Sequence, residues 1–397
     1  MQNIFMPEPR YLESPIESDL RRKMVFVAGP RQVGKTTLAR RILDGWRTGL
    51  YFNWDNRDHR LELRSPRWPA ERALIVLDEI HKWRGWKRWI KGQYDEHGAR
   101  LHFLITGSAR MDVYRRGGDS LQGRYHHYRL HPFSLAEMEG GQKKPRSIQP
   151  GEKLRLRRTG DNDLLEALLR FGGFPEPILA QKARTHRRWL KERFDRFVRE
   201  DVRDLESVRD LTQIQVLADL LPERVASPLS LNSLREDLEV SHRAITHWME
   251  ILERLYFAFR ILPFRSKKVR SLKQMPKAYL WDWSAITDPG ARFENLVALH
   301  LLKLCHWLED SEGYRVNLHY LRDRAGREAD FLVTSDGKPW FAVEAKLRAD
   351  RADPSLKYYR DRLKIPWAYQ VALDGDIDGL DDGVHCLPAS RFLASLV

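Results

Sequence analysis

The chain has 397 residues, of which 42% are hydrophobic and 31% charged, and this suggests two to four domains with real apolar cores. Its two scattered cysteines, Cys305 and Cys386, make neither a disulfide framework nor a metal-binding spacing. No apolar run approaches the roughly 18 residues of a membrane span, so we expect a cytoplasmic protein that does not enter a membrane. The formal net charge of +14 favours a polyanionic partner such as nucleic acid, or only keeps the protein in solution.

Residues 24 to 135 alternate short apolar runs with helical stretches, which is typical of an α/β domain. The runs Met24–Ala28, Leu74–Leu77 and Leu101–Ile105 predict buried parallel strands, and Leu50–Phe52 predicts another.

The segment after the first of these strands matches the phosphate-binding pattern G-x-x-x-x-G-K-[ST]. It consists of Gly29, Pro30, Arg31, Gln32, Val33, Gly34, Lys35, Thr36 and Thr37. The glycines allow backbone N–H groups to close around phosphates, and the helix that follows adds a dipole that favours anions. We expect Lys35 to reach the β- and γ-phosphates of ATP, and the Thr36 hydroxyl to ligate Mg²⁺.

Two acidic residues follow the strand at Leu74–Leu77. Asp78 stands at its carboxyl end, where α/β sheets bind ligands, and we expect it to hold Mg²⁺ through water. Glu79 is placed to polarise the water that attacks ATP. Such a pair can also simply begin a helix, but its position about 40 residues after a phosphate-binding loop favours the catalytic interpretation.

The strand at Leu101–Ile105 leads into small polar residues, of which either Thr106 or Ser108 would orient the water or sense the γ-phosphate. Arg110 and Arg124 are candidates for stabilising charge in the transition state, in the same subunit or from a neighbouring one. Either arginine can instead be an ordinary solvated side chain.

Residues 139–163 are rich in Gly, Pro and charge and predict a domain boundary. Residues 164–221 are expected to be largely helical, with an interruption at 171–177. Residues 229–240 and 241–255 then predict two helices, the second capped by Ser241, and two strands follow at 256–264 and 278–281. This is a winged-helix pattern, in which Arg243 on the second helix and Lys267 and Lys268 in the wing would bind DNA. The alternative is a winged helix that binds protein or is purely structural.

The last segment carries Glu294 in a helical stretch, Asp330 in a strand, and Glu344 and Lys346 in a second strand. A turn at 335–339 would join the two strands as a hairpin, and residues i and i+2 of a strand share a face. These features resemble nucleases of the PD-(D/E)XK type. In such a site two carboxylates hold Mg²⁺ and the lysine helps to activate water. The alternative is an inert relic of that fold, or a salt-bridged pair.

The ordered motifs resemble those of a large family of bacterial and archaeal AAA+ ATP-binding proteins with a C-terminal domain of unknown function. The motifs are GPRQVGKTT, LIVLDEIHKW, LITGSAR, SLQGR, FGGFPEP, KAYLWDWSAI, RFENLVALHLL, EADFLV and FAVEAK, and they cover nearly the whole chain. In related signalling ATPases a glycine-x-proline in the lid touches the adenine. By this resemblance Pro175, in Gly173–Pro175, is a candidate for the adenine side of the site.

The predicted fold class is therefore α/β with four parts. They are an AAA+ P-loop core at residues 1–150, a helical lid at 151–207, a winged helix at 208–285 and a restriction-endonuclease-like domain at 286–397. The predicted function is Mg²⁺-dependent ATP hydrolysis that acts on DNA or is switched by it, in a chain that forms homo-oligomers as AAA+ relatives often do. The alternatives are an ATP-gated DNA nuclease and a regulatory ATPase whose C-terminal half binds a protein.

Overall fold

A computed structural model describes residues 9–107, 121, 123–140, 148–197, 202, 211–265, 275–375 and 377–397. The predicted site residues Ser108, Arg110, Lys267 and Lys268 lie outside these ranges. The chain divides into two compact units, residues 1–131 with 141–144, and residues 132–140 with 145–397. The four-part division made from the sequence stays a prediction.

The first unit is built on a parallel sheet. Its strands are β1 (Met24–Ala28), β2 (Gly49–Asn53), β3 (Ala73–Asp78), β4 (Leu101–Gly107) and β5 (Tyr125–Arg129). The order is β2-β3-β4-β1-β5 and every neighbouring pair is parallel. All residues of β1, β3 and β4 are buried, which explains their continuous apolar runs. The four strands predicted from these runs are confirmed. Strand β5 was not predicted, because this half-buried edge strand, YHHYR, contains no apolar run.

The helices that accompany this sheet in the described part of the unit are α1 (Glu13–Leu20), α2 (Lys35–Asp44), α3 (Arg57–Arg64) and α4 (Trp86–His97). Helix α2 follows β1 after a six-residue loop and buries Leu38, Ala39 and Ile42. Its N-cap is Gly34, whose φ of 100° is one that glycine adopts most readily. The predicted succession of strand, glycine-rich loop and helix is therefore confirmed.

The second unit begins with helices, and all of them except the first lie in the segments predicted to be helical. They are α5 (Leu135–Met138), α6 (Asn162–Phe171), α7 (Pro175–Ala180), α8 (Ala183–Arg196), α9 (Leu211–Leu220), α10 (Leu231–Asp237) and α11 (His242–Arg254). The predicted interruption lies between α6 and α7, where a Cβ on Gly173 would stand 2.6 Å from the Phe133 carbonyl oxygen. Ser241 caps α11, because its hydroxyl accepts a hydrogen bond from the Ala244 N–H at 3.1 Å. The helix buries Ile245, Trp248, Met249, Ile251 and Leu252.

The rest of the second unit contains a mixed sheet. Its strands are β6 (Ala258–Pro263), β7 (Lys277–Leu280), β8 (Val316–Arg322), β9 (Glu328–Ser335), β10 (Lys338–Arg348), β11 (Trp367–Asp374), β12 (Gly379–Asp381) and β13 (Val384–Pro388). The order is β12-β13-β11-β10-β9-β8-β6-β7. Strands β8, β9 and β10 are antiparallel neighbours, β11 is parallel to β10, and β6 is parallel to β8 but antiparallel to β7.

The helices that pack with this sheet include, among the residues the structure describes, α12 (Pro289–Glu312), α13 (Pro354–Leu363) and α14 (Ala389–Leu393). Helix α12 begins where the Asp288 carboxylate accepts the Ala291 N–H at 2.7 Å and ends at Gly313, whose φ is 76°. The turn from β9 to β10 passes through Asp336 and Gly337, with φ of 49° and 74°, as a two-residue hairpin turn requires. The predicted hairpin that brings Asp330 beside the Glu344 strand is thus confirmed.

Candidate functional site

The loop between β1 and α2 adopts backbone conformations that few residues tolerate. Gly29 has a φ of 154°, and a Cβ there would collide with the carbonyl oxygen of Leu130. Gln32 and Gly34 have φ of 63° and 100°. The loop stands at the carboxyl edge of a parallel sheet and leads directly into a helix N-terminus. That arrangement suits it to hold phosphate groups through backbone N–H groups.

A buried arginine that sequence analysis missed holds this loop in place. The Arg10 guanidinium donates to the Val33 carbonyl oxygen at 2.9 Å and to the His131 carbonyl oxygen at 2.5 Å. Arg10 thereby ties the loop to the backbone that follows β5. A single arginine before the first strand has no motif around it, so the sequence contains no signal for this role.

Lys35 is the first residue of α2, and its side chain is buried against the loop. Its ammonium donates to the carbonyl oxygens of Gly29 and Pro30 at 3.0 and 2.7 Å. Val33 is also buried, Arg31, Gln32 and Gly34 are half-buried, and Thr36 and Thr37 are exposed at the start of α2. The ammonium therefore lies within the loop, close to the backbone that would surround the phosphates.

Asp78 is the centre of a hydrogen-bonded group at the carboxyl edge of the sheet, and only 2% of it is exposed. Its Oδ2 accepts from Thr36 Oγ1 at 2.7 Å, and its Oδ1 accepts from Thr106 Oγ1. Thr106 pairs with Asp78 in the register of β3 and β4. The structure therefore brings together three residues that the sequence assigned separately to the metal and to the attacking water.

Tyr51, which sequence analysis did not select, is the fourth member of this group. Its hydroxyl donates to Asp78 Oδ2 at 2.7 Å, and the Arg40 guanidinium lies 4.5 Å from the centre of its ring. Burial and the Asp78 carboxylate raise the pKa of Tyr51 to about 12, so the hydroxyl stays a donor at neutral pH. Tyr51 stands in β2 among apolar residues and looks like a core side chain in the sequence.

Glu79 follows Asp78 with its backbone in the left-handed region, at a φ of 56°. Its N–H donates to the Thr106 carbonyl oxygen at 3.0 Å, which fixes the residue beside β4. The carboxylate lies 3.6 Å from Lys82 Nζ and 3.7 Å from His81 Nε2, and it is partly exposed. Glu79 is therefore a solvent-accessible carboxylate next to the buried Asp78, as a residue that polarises water must be.

Arg124 lies at the amino ends of the strands of the same sheet, whereas the phosphate loop lies at their carboxyl ends. It precedes β5, and Tyr125 pairs with Met24 at the start of β1, whereas the loop follows Ala28 at its end. Strands advance about 3.3 Å per residue, so roughly 13 Å of strand separates the two edges. Arg124 also binds Asp95, with N–O distances of 2.7 and 3.2 Å. At this position Arg124 does not fit the predicted contact with phosphate bound in its own subunit. Of the two predicted roles, a contact with phosphate bound in a neighbouring subunit stays a prediction.

The donor set at Thr36 and Asp78 fits Mg²⁺ bound together with a nucleotide. A hydroxyl and a carboxylate are oxygen ligands of the kind Mg²⁺ prefers, and Mg²⁺ is usually held by one or two protein groups together with phosphates. Among the described residues, no group of three or more His, Cys, Asp or Glu side chains is arranged to hold a metal on its own.

The predicted C-terminal residues also meet at one place. The Asp330 N–H donates to Glu344 Oε2 at 3.1 Å, and Asp330 Oδ2 accepts from the Ala345 N–H at 3.0 Å. Lys346 Nζ lies 2.7 Å from Glu344 Oε1, so Glu344 and Lys346 share a face as predicted. Burial and the Asp330 carboxylate raise the pKa of Glu344 well above its usual value. Acidic groups with raised pKa values in one place are typical of functional sites, although structural ion pairs can also cause them.

Glu294 joins this cluster from α12. Its Oε1 accepts from the Tyr279 hydroxyl at 2.7 Å and from Lys277 Nζ at 3.1 Å. Burial and the Asp330 carboxylate raise the pKa of Glu294 to about 8. Lys277 was not predicted, because a single lysine at the start of a strand resembles an ordinary surface residue.

The remaining predicted residues lie elsewhere in the second unit. Arg243 is exposed in the first turn of α11, and β6 and β7 form the antiparallel pair expected of a wing. Pro175 is the first residue of α7. None of the helices in the described ranges has both the length and the apolar content needed to cross a membrane.

Comparison with protein families divides the chain into three matched segments. Residues 21–139 match the AAA domain, residues 162–287 match a domain of unknown function (DUF8612), and residues 289–392 match another (DUF4143). The first match contains the glycine-rich loop, Asp78 and Glu79. The third contains Glu294, Asp330, Glu344 and Lys346.

Similar curated proteins are described as uncharacterized. MJ1544 of Methanocaldococcus jannaschii is 25% identical over 73% of this chain, and the match spans only 65% of its own length. MJ1637 of the same organism is 25% identical, with 95% of this chain and 86% of that protein covered. Rv2008c of Mycobacterium tuberculosis is 22% identical, with 81% and 69% covered.

Two solved structures show a weaker likeness. The RuvB Holliday junction branch migration motor of Thermotoga maritima is 16% identical, with a TM-score of 0.31 and coverage of 63% of this chain and 87% of that one. PCH-2 of C. elegans is 12% identical, with a TM-score of 0.22 and coverage of 62% and 65%. These TM-scores are too low for a functional comparison. The family matches together show that the chain carries an AAA domain followed by two domains of unknown function.

Proposed function

We propose that this protein hydrolyses ATP with Mg²⁺ at the carboxyl edge of its parallel sheet. The observation that carries the proposal is the hydrogen bond from Thr36 to Asp78, because it joins the two groups expected to hold Mg²⁺ directly beside the phosphate loop. When bound, Mg²⁺ would neutralise charge on the phosphate oxygens. A cytoplasmic location and assembly into homo-oligomers remain predictions from the sequence.

Each residue of this site has a separate task in the proposal. The loop backbone and Lys35 bind and orient the β- and γ-phosphates. Asp78 is held by Thr106 and orients the Thr36 hydroxyl. Glu79 takes the proton of the attacking water, and its partial exposure gives that water access.

The test of this proposal is ATP turnover by two variants with matched controls. Lys35→Ala should abolish turnover and weaken nucleotide binding, because Lys35 supplies the ammonium that lies against the backbone of the loop. Glu79→Gln should keep ATP bound and slow hydrolysis roughly 10²- to 10⁴-fold, because the amide keeps the shape without the base. The controls are Lys23→Ala and Glu71→Gln, which precede β1 and β3 at the other edge of the sheet. Turnover near that of the wild type in Lys35→Ala would end the assignment.

We further propose that DNA is the partner that the ATPase acts on or responds to. The net charge of +14 and the exposed Arg243 on α11 support this. Binding to duplex DNA should fall steeply with salt, and replacement of Arg243, Lys267 and Lys268 by alanine should weaken binding and flatten that dependence. Unchanged affinity and slope in this variant would favour a protein partner for the C-terminal half instead.

A second candidate function is metal-dependent DNA cleavage by the C-terminal domain. It is favoured by the convergence of Glu294, Asp330, Glu344 and Lys346, which come from one helix and two adjacent strands. In this proposal the carboxylates hold Mg²⁺ or Mn²⁺, and Lys346 helps to position the water.

Exchange of Asp330 and Glu344 for asparagine and glutamine tests the nuclease proposal. The variant should lose Mn²⁺-dependent cleavage and keep ATP turnover, since the two activities belong to separate groups of residues. The nuclease proposal fails if wild-type protein with ATP and Mn²⁺ leaves linear, nicked and branched DNA intact. The ATPase proposal would survive that result.

A further inference from the structure

A lysine sits among the carboxylates of the C-terminal domain, at a place where a cation is needed. Lys277, the first residue of β7, is only 1% exposed. Its Nζ lies 2.5 Å from Glu328 Oε1, 3.1 Å from Glu294 Oε1 and 3.8 Å from Asp330 Oδ1. The ring of Tyr320 lies 5.6 Å from the same nitrogen. Three carboxylates thus surround one buried ammonium.

The ammonium lies beside one of the two oxygens with which Asp330 could bind a metal. Asp330 Oδ2 accepts from the Ala345 N–H, and Oδ1 is the oxygen turned toward Lys277, 3.8 Å from its Nζ. Divalent cations bind carboxylate oxygens at about 2.0 to 2.6 Å. A metal at that distance from Asp330 Oδ1 and Glu294 Oε1 would therefore compete directly with the ammonium for space and for charge.

We propose that Lys277 is the built-in cation of this carboxylate site, and that a divalent metal enters only when the ammonium leaves its place between Glu294, Glu328 and Asp330. Lys277 is then an inhibitory residue. This inference rests on the proposed carboxylate site, but it does not depend on cleavage of DNA.

Lys277 reaches the site from outside the domain that supplies the carboxylates. It belongs to the segment that matches one domain of unknown function, whereas Glu294, Glu328 and Asp330 belong to the segment that matches the other. It pairs with Ile261 in the β6–β7 ladder. Withdrawal of the Lys277 side chain alone would leave the strands and the carboxylates in place, so the lysine can act as a switch for metal entry.

A second buried lysine provides the matched control. Lys303 is 2% exposed and binds Glu137, Ser134 and the Pro132 carbonyl oxygen, away from the carboxylate site. Loss of either lysine should destabilise the second unit, because each leaves a buried carboxylate without its partner. Only loss of Lys277 should open a place for a metal.

The experiment measures Mn²⁺ binding to the full-length protein without nucleotide, by the electron paramagnetic resonance signal of free Mn²⁺. Thermal unfolding with and without Mn²⁺ is measured alongside. The proteins are the wild type, Lys277→Met, Lys277→Gln, Lys303→Met and the double variant Lys277→Met/Glu294→Gln. Glu294→Gln alone identifies any binding at this site in the wild type.

We expect both Lys277 variants to bind one Mn²⁺ at the carboxylate site, with an affinity at least tenfold higher than that of the wild type at this site. Mn²⁺ should also raise the melting temperatures of both variants. The double variant should lose this site, and Lys303→Met should not gain it. The inference is overturned if Glu294→Gln removes tight Mn²⁺ binding from the wild type, because metal then enters with Lys277 in place. It is also overturned if the Lys277 variants gain no site, or fail to fold even with Mn²⁺. A Lys277 variant that binds Mn²⁺ without cutting DNA would refute the nuclease proposal alone.

Discussion

Buried His300 is expected to lower the free energy of unfolding of the second unit in mild acid. Its Nδ1–H donates to the Leu296 carbonyl oxygen at 2.8 Å, and its Nε2 accepts from the Leu135 N–H at 3.1 Å. The neutral ring satisfies both contacts, but a proton on Nε2 would face another donor. Burial, assisted by the nearby Lys303, lowers the pKa of His300 to about 4, although the hydrogen bond to Leu296 and the Glu137 carboxylate act in the opposite direction.

The direction and size of the effect follow from this pKa. The folded state holds the proton less tightly than the unfolded state, in which the histidine pKa is about 6.5. The stabilisation is therefore complete above pH 6.5 and is lost as the pH falls toward 4. With pKa values of 6.5 and about 4, His300 should remove about 2 kcal/mol from the free energy of unfolding at pH 5, relative to pH 7.5.

The assay is urea unfolding at a series of pH values, with tryptophan fluorescence as the signal. The ring of Trp283 lies 5.9 Å from that of His300 and reports on this region. His300→Gln has no group that titrates and should unfold with a flatter pH dependence, while exposed His242→Gln serves as the matched control. Parallel pH profiles for wild type and His300→Gln would refute the reasoning.

Three further predictions concern single side chains. Tyr51→Phe removes a hydrogen bond to Asp78 worth about 1 kcal/mol, so the Mg²⁺ concentration for half-maximal ATP turnover should rise about fivefold. Tyr94→Phe, at the amino ends of the strands, should leave this concentration unchanged, and an equal rise in both variants would contradict the assignment. Arg124→Ala should not alter ATP turnover by dilute, monomeric protein, and a loss that does not depend on protein concentration would show that the sheet-edge argument is wrong. Ser241→Ala should lower the free energy of unfolding by about 1 kcal/mol in urea titrations, whereas Ser241→Asp should retain it; no change in the alanine variant would mean that the cap is not needed.

The strands and the phosphate loop could be predicted because their signals are local. The run Ala73–Leu77 is continuous and apolar since β3 is buried on both faces, and Asp78 is the last residue of that strand. Spacing also sufficed for Asp330 and Glu344, because a hairpin with an Asp-Gly turn brings the residues on its two strands together.

The residues that the sequence did not reveal act through contacts that are distant along the chain. Arg10 donates to the backbone carbonyl oxygen of His131, and Tyr51 on β2 donates to Asp78 on the neighbouring strand β3. Neither has a neighbour in the sequence that marks its role. The position of Arg124 likewise follows from the pairing of β5 with β1, and the polar sequence of β5 did not predict that strand.

The mixed sheet of the second unit crosses the border between the two matched domains of unknown function. Leu262 of β6 pairs with His319 of β8, and the Phe264 N–H donates to the Tyr320 carbonyl oxygen at 2.9 Å. A cut near residue 288 would therefore tear a ladder and leave an open sheet edge on each fragment, which invites aggregation. The same ladder is a rigid mechanical link: a load applied to the β6–β7 hairpin passes directly to β8 and β9, with no linker to absorb it.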